Sequence, residues 1–61
     1  MNAATQHAVS LMNKYNQLVA ALDDAWGNAH QIQVINDEMK YLEISVISIM
    51  GIGWFESNAE I

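Results

Sequence analysis

The side chains best suited to chemistry in this chain are two histidines, seven carboxylates and four serines, with no cysteine among its 61 residues. Without a thiol there is neither a disulfide nor a thiolate zinc site. His7 and His30 could hold a metal through their imidazole nitrogens. Neither belongs to a His-x3-His or Glu-x-x-His pair, the spacings that set two ligands on one helix face. Each also falls near the start of its own predicted helix, so a hairpin carries them to opposite ends. Ser10, Ser45, Ser48 and Ser57 lack the histidine and carboxylate partners of a nucleophile. Gly-Ile-Gly at residues 51–53 is predicted to lack both the helix and the lysine that complete a phosphate loop. The expectation is a protein with no catalytic residue, no metal and no cofactor.

The carboxylates suggest a different use. Only Lys14 and Lys40 oppose them, and the net charge is −5. No basic patch exists to displace counterions from nucleic acid, so direct nucleic-acid binding is excluded. An anionic membrane is equally unfavourable. A basic protein partner fits the charge. Asp23 and Asp24 fall in the last turn of the first predicted helix, where the macrodipole disfavours negative charge. A conflict of that kind can mark function. With Asp37 and Glu38 the pair forms a candidate charged rim.

The elements that position these groups follow from two heptad stripes. Ala4, Ala8, Leu11, Tyr15, Leu18, Leu22 and Ala25 recur at steps of four and three; Ile32, Ile35, Met39, Leu42, Val46 and Ile49 recur at three and four. Each stripe keeps one apolar seam along one side of a helix. Met12, Val19 and Trp26 widen the first stripe to a bundle face. Asn2 is a candidate N-cap, Gly27 a left-handed stop, and Asn28 with Gln31 a capping box. The prediction is a helix over about 3–26, a turn at 27–28, a helix over about 29–50 and an irregular tail over 51–61. In that hairpin Tyr15 and Tyr41 should lie close together, and Trp26 should plug the core or an interface beside the turn.

A two-helix hairpin of this length has one shared seam and buries too little to stand alone. Pairing into a four-helix bundle, as a homodimer or tetramer, is therefore expected. Leu11, Tyr15, Leu18, Leu22, Met39, Leu42, Val46 and Ile49 are its candidate interface. From Ile44 to Phe55 the chain carries no charge. Its isoleucines and valine also suit a strand over 44–50, but the unbroken heptad favours helix. The run is too short to span a membrane, which needs about 20 apolar residues. Ile52, Trp54 and Phe55 beside two glycines are candidate anchors for a partner, with a cap over the open end of the core as the alternative for the aromatic pair.

The functional expectation is a small acidic modulator or inhibitor, cytoplasmic, that works as a homo-oligomer by occluding a surface of a larger and basic protein. Two other readings compete with it. One is a nucleic-acid-mimicking inhibitor built on the acidic side chains. The other is a small membrane-associated protein acting through residues 44–55.

Overall fold

A computed structural model describes residues 2–60 of the chain. Three helices follow one another, α1 (Ala3–Asp24), α2 (Ala29–Met50) and α3 (Ile52–Asn58). No strand occurs among the described residues, and residues 44–50 are helical. The two long helices pack on each other as a hairpin, giving a body of 40 × 18 × 15 Å.

Side-chain caps set the helix starts. The Asn2 side-chain oxygen accepts the Thr5 N–H at 2.8 Å and the Asn28 oxygen accepts the Gln31 N–H at 3.1 Å, each satisfying an orphan donor of a first turn. The capping box at Asn28 closes on that side only. Its backbone N–H is already used by the turn, donating to the Ala25 carbonyl at 2.9 Å. α1 stops at Asp24, short of the expected Trp26, because the chain turns there: the Ala25 N–H is shared between the carbonyls of Ala21 and Leu22, and Gly27 takes φ +90°.

The largest departure from expectation is the tail. Residues 52–58 form a helix, and that helix folds back onto the hairpin. Gly51 makes the break, with φ +89° and ψ 161°, a region open essentially to glycine alone. Its N–H closes α2 on the Ile47 carbonyl at 2.8 Å, and its carbonyl accepts the Phe55 N–H at 3.2 Å as α3 begins. Phe55 then enters the core edge-on to Tyr15, with ring centroids 5.1 Å apart and planes at 77°. Such T-shaped pairs are favoured by the ring quadrupoles.

One side chain of α1 fixes where α3 ends. The Asn16 amide group donates to the Asn58 carbonyl at 3.1 Å, and its oxygen accepts the Glu60 N–H at 3.0 Å. Asn16 thus satisfies a carbonyl that the end of a helix leaves unpaired and an amide just beyond it.

Burial reflects this fold-back. Met12, Tyr15, Ala25, Ile35, Met39, Leu42, Val46 and Phe55 form one cluster. On α1 the buried line is Ala8, Met12 and Tyr15, while Leu11 and Leu18 of the expected seam are half-buried. The seam is rotated because α3 covers the side that carries Tyr15 and Asn16. Tyr15 meets Phe55 and not Tyr41, which is 70% exposed on the outer side of α2. The chain exposes 4230 Å², close to the ~4,000 Å² of a folded monomer of its mass. The third helix supplies burial that two helices alone would lack.

Candidate interaction surface

The expected oligomer interface divides into two groups. Tyr15, Met39, Leu42 and Val46 are enclosed within the single chain, Val46 completely. They are core residues, and the expectation that they face a second copy is corrected accordingly. Leu11, Leu18 and Leu22 keep part of their surface open while packing against that core, and Ile49 is half-buried. Lys14 and Glu38 reach across from α1 to α2 at 3.8 Å. The pair is well exposed and contributes little.

The expected partner anchors divide in the same way. Ile52 is exposed, Trp54 is half-buried against the core, and Phe55 is buried. Phe55 is therefore a core plug of the fold and not a free anchor, and it sits beside Tyr15. The physical reason is the Gly51 break, which turns the tail inward.

Trp26 moves the opposite way. Expected to plug the core or an interface, it is 87% exposed in the single chain, so it is not a core plug. It stands over a shallow apolar hollow of about 350 Å³ that it lines with Gly27, Ala29 and Ile32. Exposed Asp23 and Asp24 precede it in the last turn of α1, which holds no basic residue. The turn thus presents one aromatic ring, an apolar floor and two carboxylates. Asp37 and Glu38 lie exposed further along α2.

A second exposed set runs along α2, where Val34, Tyr41 and Ile44 all show apolar surface to solvent. Its signal is present in the sequence as another heptad row, Val34, Asp37, Tyr41, Ile44 and Ser48, on the side away from the seam. A more polar depression of about 410 Å³ lies between α1 and the end of α3, lined by Asn13, Asn16, Gln17, Ala20 and Glu60. Asn16 is already occupied there in holding α3.

Ser45, Ser48 and Ser57 each donate their hydroxyl to the carbonyl four residues earlier, at 2.9–3.0 Å. Among the described residues no three of His, Cys, Asp or Glu come together as a metal-binding group. A helix does follow Gly51, contrary to the expectation for the Gly-Ile-Gly segment, yet both lysines lie elsewhere, on α1 and α2. Burial, and secondly the negative charge of Glu43, push the Tyr15 phenol above its ordinary value. Among the described residues no helix is long and apolar enough to cross a membrane. No protein family, curated protein or solved structure matches the chain.

Proposed function

We propose that this chain is a small acidic protein-binding modulator, working as a homo-oligomer, that occludes a surface of a larger and basic protein. The observation that carries the reading is Trp26, a large aromatic side chain left in solvent above an apolar hollow, with Asp23 and Asp24 beside it. Tryptophan in such a position loses little rotamer entropy on binding and desolvates a large area, which is why it dominates interface energetics. The adjoining carboxylates add long-range attraction for a basic partner and speed its approach more than they strengthen the final complex. The turn end carries no cation of its own between Val19 and Asp37, so that attraction is uncompensated locally.

The test is site-directed photocrosslinking in the cells that make the protein. A photoreactive phenylalanine analogue at position 26 is expected to yield an adduct with a larger protein, and the same analogue at exposed Gln33 is not. Replacing Asp23 and Asp24 together by lysine should reduce the adduct formed in a short irradiation. Equal labelling from both positions, or none from position 26, would remove the proposal.

A further inference from the structure

Helix α2 has two sides with heptad spacing, and only one has a partner. The inner row, Ile35, Met39, Leu42 and Val46, is buried within the chain. The outer row, Val34, Asp37, Tyr41, Ile44 and Ser48, alternates steps of three and four and is exposed at every position. That spacing is the narrow seam of a two-stranded helix pair. Neither α1 nor α3 covers it.

The geometry points to a second copy of this chain as the occupant of the outer row, in an antiparallel α2–α2 pair whose two-fold axis passes level with Met39. The inference rests on the self-association in the function proposed above and assigns it a face and a register. A two-fold contact must be self-complementary, each residue meeting another of the same set. With the axis at residue 39, Val34 lies level with Ile44 of the partner subunit, and Ile44 with Val34 of the partner subunit. Tyr41 lies level with Asp37 of the partner subunit, where the phenol O–H can donate to the carboxylate. Ser48 lies level with His30 of the partner subunit. Along the row itself apolar meets apolar, and a phenol donor meets a carboxylate acceptor.

Other arrangements of the same row do worse. A parallel pair sets Asp37 beside Asp37, a like-charge contact. An antiparallel pair shifted by half a heptad, with its axis beyond Leu42, sets Val34 level with Gly51, where α2 has ended. The register centred on residue 39 is also centred on α2 itself (Ala29–Met50), so the helices overlap over their full length of ~33 Å. One consequence bears on function. An antiparallel dimer sends its two Trp26 turns to opposite ends, so each dimer offers two separate partner sites.

The chain has no native cysteine, which makes the register directly testable. Protein carrying Val34→Cys is mixed with protein carrying Ile44→Cys and equilibrated in a glutathione redox buffer. The heterodisulfide is expected to exceed the share that random pairing gives, and to exceed that formed by Tyr41→Cys with Ile44→Cys, the pair that reports the shifted register. In light scattering across a dilution series, Ile44→Glu should halve the mass of the dimer without changing its helical circular dichroism. A random distribution of disulfides overturns the register. A dimer indifferent to Ile44→Glu overturns the α2 face but leaves self-association standing. A monomer at every concentration overturns both.

Discussion

At the end of the hairpin where α2 meets α3, Val46 is fully enclosed and Phe55 retains 4% of its surface, whereas at the turn end Trp26 retains 87%. Both ends contain a glycine with positive φ, and both carry an aromatic residue close to it. The difference lies in the order of ring and glycine along the chain. Phe55 comes after Gly51, on a short helix that returns it to Tyr15, and Asn16 fastens the end of that helix. Trp26 precedes Gly27, and the chain leaves directly along α2, so nothing returns to cover the ring. One end has spent its aromatic surface on folding and the other has kept it available.

The sharpest way to break this contrast is to remove both aromatic side chains separately. Phe55→Ala deletes a buried ring and leaves a cavity, a change that costs ~3–5 kcal/mol. Trp26→Ala removes exposed surface and should fall within ~0.5 kcal/mol of the parent. Chemical denaturation followed by circular dichroism checks both. Similar costs for the two would mean that the ends are not differently built.

Gly51→Ala comes next. A Cβ there meets open space, so sterics alone would tolerate it, but φ +89° with ψ 161° is strained for any L residue. The expected loss is ~1–3 kcal/mol, accompanied by faster amide exchange at Phe55 and Ala59. Asn16→Ala should cost less, about 1 kcal/mol, because its two hydrogen bonds are exposed and water replaces them in part. Its signature is local: exchange rises at Glu60 while α1 and α2 stay protected.

The hairpin was legible because its signals are local and repeated. Two heptad stripes, Asn2, Gly27 and Asn28 specify two helices and a turn without reference to anything distant. The fold-back of α3 was not legible. It depends on Phe55 reaching Tyr15 and on Asn16 meeting residues 58 and 60, contacts that span some forty positions and leave no periodic trace. Two glycines within three residues argue against a helix by propensity, yet Gly51 serves as the break and only Gly53 lies inside. The same omission displaces the candidate site. Phe55 reads equally as a partner anchor or a cap because no local signal decides between them, and Trp26 reads as a plug of the core or of an interface when the first helix is carried two residues too far. The outer row of α2 is readable at heptad spacing but is overshadowed by the stronger inner one.

Gly53→Ala sharpens the comparison from the other direction. Gly53 lies within α3, its φ is not positive, and a Cβ meets nothing within 4 Å. Alanine there should stabilise the chain by ~0.5–1 kcal/mol through the smaller entropy lost on forming the helix. Opposite signs for Gly51→Ala and Gly53→Ala, measured by thermal unfolding, would separate the hinge from the helix it begets.

The smallest effect at neutral pH belongs to Tyr15, and it appears only in alkali. Burial against Phe55, and then the charge of Glu43, raise its phenol above the ordinary value. An acid whose folded pKa exceeds its unfolded value keeps its proton in the native state after the unfolded chain has begun to release it. The unfolded state then binds fewer protons, so stability falls as pH rises. The contribution is fully present below about pH 10, the ordinary tyrosine value, and is lost as pH climbs from there through the raised folded value. Tyr15→Phe keeps the ring against Phe55 and removes the titrating group, so its stability should fall less steeply above pH 10. Identical alkaline slopes for the parent and Tyr15→Phe would mean that the Tyr15 hydroxyl stays in water when the chain folds. The covered end of the hairpin would then be less tightly closed than Phe55 makes it.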